Sequence, residues 1–134
     1  TNMLPQENRL KHMKDFEILF KEGRFFAGKL ITMKVWKIDP EKYPRRKYSA
    51  EDLKIGFVVG LKASKSAVKR NRVKRQMREV VRLLLKEGKL KNGFHVSVMA
   101  KPGVVGTEYG EIEKDIREVL GRAGVVKVGG DKLR

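Results

Sequence analysis

No cysteine occurs among the 134 residues, which excludes disulfides, Cys-based zinc sites and thiol nucleophiles. Histidine is nearly as scarce. His12 and His95 stand far apart, with no spacing that suggests a metal site or a general-base pair. His95, inside a strand-like run, reads as a packed or exposed sheet residue. No apolar run approaches the roughly 18 residues that a membrane span needs, and the N-terminus lacks the apolar core of a secretory signal. Acids are short as well: 16 Asp and Glu stand against 32 Lys and Arg. No carboxylate cluster stands out for two-metal nuclease chemistry, and Glu111, Glu113 and Asp115 read as ordinary surface acids. The expected location is the cytoplasm, with no membrane partner. Met3 is expected to be the natural first residue, Thr1 and Asn2 being additions.

What is present is positive charge, +16 at pH 7 with a pI near 10.3. That balance predicts a polyanionic partner. A chain of this length fits one domain with one core. "RLKHMKDFEILFKEG" predicts a first helix of about a dozen residues, closed by Gly23. "GKLITMKVWKID" alternates as a strand with Ile31, Met33 and Val35 on one side, and Pro40 ends it. "EKYPRRKYSAED" reads as a mobile polar loop and 53–61 as a central strand. Ser64 is the expected N-cap of a long helix reaching about Glu87, stopped by Gly88. A strand over 93–100 follows, then a helix capped by Thr107 with Ile112, Ile116, Val119 and Leu120 as its apolar stripe. Residues 1–7 and 123–134 are expected to be loosely ordered ends, although 125–128 are able to add an edge strand. The expected fold is α+β, a single layered domain with about a four-stranded sheet and three helices in the order α-β-β-β-α-β-α.

The segment "AVKRNRVKRQMREVVR" (67–82) carries Lys69, Arg70, Arg72, Lys74, Arg75, Arg78 and Arg82, opposed only by Glu79. At about 100° per residue, Val73, Met77, Val80 and Leu84 form one narrow stripe, with Val81 beside it. Asn71, Arg75, Arg78 and Arg82 fall opposite, flanked by Lys74 and Lys86. A merely solvated helix mixes signs, because i,i+4 Glu–Lys pairs stabilise and like pairs oppose. This one does not mix them. Arginine predominates over lysine between 69 and 82, and its planar fork suits phosphate and exposed bases. A membrane-surface helix needs apolar residues free to leave the core, whereas this stripe is required inside. Nucleic acid is the better reading.

"RNRVKRQMRE" (70–79), "NRLKHMKDFEILFKEG" (8–23) and "VSVMAKPG" (96–103) resemble, in the same order, the motifs of the bacterial ribonuclease P protein subunit. The resemblance spans about residues 8–120. It implies a single ribonuclease P protein domain with a left-handed β-α-β crossover, a hand that generic topology rules disfavour. It implies a partnership with ribonuclease P RNA, which performs endonucleolytic removal of the 5′ leader of precursor tRNA with its own Mg²⁺. The protein would be an accessory subunit without catalytic or metal-binding residues of its own.

By the match, Arg70, Asn71, Arg72, Lys74, Arg75 and Arg78 would meet the catalytic RNA, with Lys69 and Arg82 as further candidates. Phe16 and Phe20, core residues on periodicity alone, would instead edge a cleft where aromatic faces stack on leader bases. Lys62 and Lys65 would form the cationic rim of that cleft, and Arg9 would add to the RNA-binding surface. The family often has an aromatic hydroxyl in the strand after the first helix; here Lys34, Val35 and Trp36 stand nearest. Arg45, Arg46 and Lys47 read equally as an RNA contact and as a solvated loop. Two rival readings stay open: a ribosomal or RNA-chaperone protein using the same helix, and a free-standing protein nuclease.

Overall fold

The computed structural model describes residues 3–127. Helix α1 (Met13–Glu22) leads into the hairpin β1 (Arg24–Ala27) and β2 (Ile31–Lys37); β3 (Leu53–Val58), α2 (Ala67–Lys86), β4 (Phe94–Ala100) and α3 (Tyr109–Arg122) follow. One four-stranded sheet has the spatial order β1-β2-β4-β3. The β1–β2 and β2–β4 pairs are antiparallel, whereas β3 and β4 run parallel and are joined through α2. The expected order of elements and fold class therefore hold; the sheet is mixed, and β3, expected to be central, is instead an edge strand because β4 inserts between it and β2.

Period-two alternation gives the sheet two different faces. Ile31, Met33 and Val35 of β2, Leu53 and Ile55 of β3, and Val96 and Val98 of β4 point to one side. There they meet Val73, Met77, Val80, Val81 and Leu84 of α2 and Ile112, Ile116, Val119 and Leu120 of α3. Each such side chain contributes roughly 1.5–3 kcal/mol by leaving water. The other side carries α1 and a smaller cluster, in which Leu10, Ile18, Leu19, Trp36 and Ile38 are buried with Phe16, Tyr43 and Tyr48 against them.

Several boundaries differ from expectation. Strand β1, "RFFA", is too short to show alternation. Helix α1 begins at Met13, because Arg9 and Leu10 extend along β3 instead; Leu10 N–H donates to the Ile55 carbonyl at 3.1 Å. Ser66, not Ser64, caps α2 by accepting from Lys69 N–H at 3.2 Å, while Ser64 Oγ accepts from Ser66 N–H. Gly88, at φ +70°, takes the left-handed turn just past that helix, as expected of a glycine stop. Thr107 does not cap α3. Its hydroxyl donates to the Val104 carbonyl at 2.7 Å, and Glu108 stands at the cap position.

Within the two expected loose ends, Leu4 and Val125 are buried, whereas Met3, Pro5, Gln6, Glu7 and Lys127 are exposed. Leu4 is buried in the main core, and Asn8 Nδ2 donates to the Leu53 carbonyl at 2.7 Å. Val125 is fully buried, and Val126 makes a single bridge to Leu90 rather than a strand. Thr1, Asn2 and residues 128–134 lie outside the described residues.

The 41–52 connection, expected to be mobile, is pinned. Tyr43 and Tyr48 pack edge-on against Trp36, with ring centroids 5.8 and 5.6 Å away. Tyr43 Oη and Lys42 Nζ both donate to Glu22, at 2.5 and 2.8 Å. Asp15, nearly buried on α1, accepts from Arg46 Nη2 and Tyr48 Oη, each at 2.6 Å. Burial alone raises the Asp15 carboxyl, but the bonds from Tyr48 and Arg46 outweigh it and hold the group below its ordinary value. Burial, with the bond to Asp15, pushes the Tyr48 hydroxyl up to about 12.

Asp115 corrects a further expectation. It is no surface acid: 9% exposed, it accepts from the backbone N–H groups of Lys29, Leu30 and Ile31 at 2.9, 2.8 and 3.0 Å. One α3 carboxylate thereby ties the β1–β2 turn to the core layer.

Candidate nucleic-acid interface

Helices α2 and α3 bury similar apolar stripes against the same sheet face, yet their outward faces differ. On α3, Arg117 pairs with Glu113 at 3.2 Å and Arg122 with Glu118 at 2.7 Å. On α2 the only ion pair among the described residues is Arg82 with Glu79, bidentate at 2.9 and 2.8 Å. That bond holds Glu79 below the ordinary carboxylate value, so Arg82 is the most nearly neutralised cation of the helix. Arg70 is partly engaged, its Nη1 donating to the Ser64 carbonyl at 2.9 Å. Lys69, Asn71, Arg72 and Arg75 are exposed, while Lys74 and Arg78 are half-buried. Several like charges thus stand together without protein counterions.

The cations divide between two flanks. Lys69 and Arg72 border a cavity of about 490 Å³ shared with Val105–Tyr109. Lys74 and Arg78 border another, of about 350 Å³, whose remaining walls include Arg9, Lys11, Phe16 and Gly56. The second groove brings together residues from three of the expected groups: the basic helix, the first-helix aromatics and the N-terminal arginine. The Arg78 Nε is hidden from solvent and has no partner among the described residues. Arg9 Nε donates to the Leu4 carbonyl at 2.8 Å, which fixes its stem at the groove edge.

Phe16 reaches the sheet because Gly56 leaves room for it. A Cβ on Gly56 would stand 2.4 Å from the Phe16 ring, far inside van der Waals contact. Phe20 lies one turn on, ring centroids 6.1 Å apart, and is 40% exposed. Neither residue is wholly core. Lys62 and Lys65 are exposed in the connection that leaves the C-terminal end of β3, and they do not line the Phe16 groove.

Of the three residues nearest the family's aromatic hydroxyl, Val35 faces the core, and Lys34 Nζ donates to the Phe20 carbonyl at 3.2 Å at the end of α1. Trp36 is buried at 6% and unavailable for stacking on a ligand. His95 is fully buried between Trp36 and Tyr48, and burial holds its imidazole below the ordinary value. Sequence reading missed Phe25. It lies directly across from Lys34 on edge strand β1, on the α1 side of the sheet, and is 61% exposed. Met99, in the next row on that face, is also exposed. The available signal was "RFF" followed by Gly28 and a second strand, a short hairpin pattern.

The remaining acids are dispersed. Among the described residues no group of three or more His, Asp or Glu is placed to hold a metal ion, and no helix is long and apolar enough to cross a membrane.

Comparison with known proteins shows the family and the fold. The family model described as Ribonuclease P matches residues 4–124. The ribonuclease P protein component of Pseudanabaena sp. (strain PCC 6903) is 34% identical over 124 residues, covering 92% of this chain and 97% of that protein. The ribonuclease P protein component of Clostridium acetobutylicum is 31% identical over 122 residues, covering 90% and 92%. The Staphylococcus aureus RNase P protein superposes with a TM-score of 0.71 at 22% identity, over 89% of this chain and 97% of that one. The Thermotoga maritima RNase P protein gives 0.65 at 25% identity, over 86% and 96%.

Proposed function

The chain belongs to the ribonuclease P protein family, and on that premise we propose that it grips ribonuclease P RNA with α2 and the 5′ leader of precursor tRNA with the Phe16 groove. The observation that carries this reading is the run of α2 cations that, Arg82 apart, have no acidic partner among the described residues, bordering a groove walled on its other side by an aromatic ring.

The chemistry divides accordingly. Arg70, Arg72, Lys74, Arg75 and Arg78, with Lys69 beside them, neutralise ribose-phosphate oxygens and release counterions. Asn71 hydrogen-bonds backbone or base edges. Phe16 and Phe20 offer ring faces to unstacked leader bases, a contact worth about 1–3 kcal/mol per base. Phe25 and Met99 extend the same open sheet face. Lys62 and Lys65 add charge where the strand leaves the cleft, and Arg9 adds it on the opposite wall. Arg82 contributes least, being shared with Glu79. Phosphodiester hydrolysis belongs to the RNA component with its Mg²⁺. The side chains of this protein bind and orient, and its place of work is the cytoplasm.

Reconstitution tests the reading. Precursor tRNA is incubated with the protein alone, with ribonuclease P RNA alone at low Mg²⁺, and with both. Leader removal only in the combined sample is the expected result; removal by the protein alone would overturn it. Arg75→Ala/Arg78→Ala should lower the log–log salt slope of RNA binding by about 1.4–1.8, since each lost phosphate contact removes about 0.7–0.9.

A further inference from the structure

A second basic group lies beside α1, outside the Phe16 groove. His12, Lys14, Arg45, Lys47 and Lys54 line a basin of about 610 Å³, joined there by Asp52 and by the Asp15–Arg46–Tyr48 network. Arg45 and Lys47 are exposed and make no ion pair among the described residues. Lys14 reaches only Glu17, at 3.8 Å with both side chains well exposed, which leaves its charge nearly intact. Lys54 Nζ donates to a backbone oxygen, that of Glu7, at 3.3 Å. Of the two acids, Asp15 is committed to Arg46 and Tyr48, and Asp52 accepts from Ser49 N–H at 3.2 Å. The basin is net positive.

Exposed lysines on a free loop would carry no weight, but this loop is held at both ends of its basic stretch, by Tyr43 on Glu22 and by Tyr48 on Asp15. Lys47 adopts φ 59° and ψ 37°, the left-handed region that favours glycine or asparagine. A braced loop that keeps a strained lysine and an unpaired arginine facing outward points to something anionic beyond them. The basin also abuts the Phe16 groove. Lys11 lines the groove and His12 the basin; on β3, Ile55 lines the groove and Lys54 the basin.

We propose that this basin is a second contact site for the RNA backbone, taking phosphates of a strand that passes around the N-terminal end of α1 from the Phe16 groove. The proposal rests on the RNA-binding reading above and adds a surface to it. Continuity with the groove favours RNA over other polyanions.

Arg45→Ala/Lys47→Gly tests it in two arms: salt titration of binding to ribonuclease P RNA alone, and of holoenzyme binding to precursor tRNA with a long 5′ leader. We expect the log–log slope to fall by about 1.4–1.8 in one arm, which also identifies the strand concerned. The thermal midpoint should not fall, because glycine suits the backbone at position 47. Wild-type slopes in both arms would overturn the proposal. Arg75→Ala/Arg78→Ala, run alongside, separates the two readings. If it lowers the slope and the loop variant does not, only the basin is disproved; if neither lowers it, the RNA-binding reading fails as well.

Discussion

The two faces of the sheet obey different rules. The face beneath α2 and α3 is dry: Ile31, Met33, Val96 and Val98 are at most 1% exposed. The face beneath α1 is only partly covered, holds a buried imidazole, and shows Phe20, Phe25 and Met99 to solvent. Helix α1 packs on β2 and β4, and a single helix about 10 Å across cannot cover four strands spaced about 4.8 Å apart, so part of the sheet stays open. The covered face carries stability, and the open one leaves apolar side chains in contact with water.

Substitutions on either side should therefore register in different measurements. The largest loss of stability is expected from Asp115→Ala, which strands three backbone N–H groups at the β1–β2 turn and should cost about 3 kcal/mol in chemical denaturation. RNA affinity per folded molecule should be unchanged; a parallel fall in affinity would mean that α3 also faces RNA.

Gly56→Ala should cost less, about 1 kcal/mol, as the Phe16 ring yields to the new methyl group. Its signature lies elsewhere: weaker binding of leader-bearing RNA with an unchanged salt slope, because no charge is lost. Full retention of leader affinity would show that the position of Phe16 does not matter.

His95 gives a pH-dependent contrast. Burial holds its folded value below the unfolded 6.5, so the unfolded chain takes up the proton first as pH falls. Its contribution is complete above pH 6.5 and is lost as pH drops through the folded value. Asp15, held below 3.8, acts only in a more acidic window. Thermal midpoints should decline from pH 7 to pH 5 in the wild type and stay flatter in His95→Leu. The smallest effect on stability, within about 0.5 kcal/mol, is expected of Phe25→Ala, since the ring is mostly exposed. Leader-bearing RNA should nonetheless bind it less tightly than it binds the wild type.

The elements that were legible in advance share one property: their signal is local. Helix α2 announces itself by a clean 3.6-residue stripe over twenty residues, and β2 and β4 by length and alternation. The misread features depend on distant partners. Asp115 differs from Glu111 only through three N–H groups more than eighty positions away. The 41–52 connection reads as mobile because nothing within it reveals that Trp36, Glu22 and Asp15 receive its tyrosines. Ser64 and Ser66 are equally good caps in isolation, and the exit path from β3 decides between them. At the candidate site, the unpaired charge of α2 was readable from composition. The exposure of Phe25 was not, because it depends on how far α1 reaches across the strands.

The strand order has a bearing on biosynthesis. Strand β4 is the last of the four to leave the ribosome, yet it lies between β2 and β3. Until residues 94–100 emerge, the nascent hairpin and β3 each present an unpaired edge with apolar side chains, the hazard that drives premature self-association. Mutual repulsion among growing chains of strongly cationic character keeps such edges apart. A net charge of +16 thus opposes self-association of the unfinished sheet.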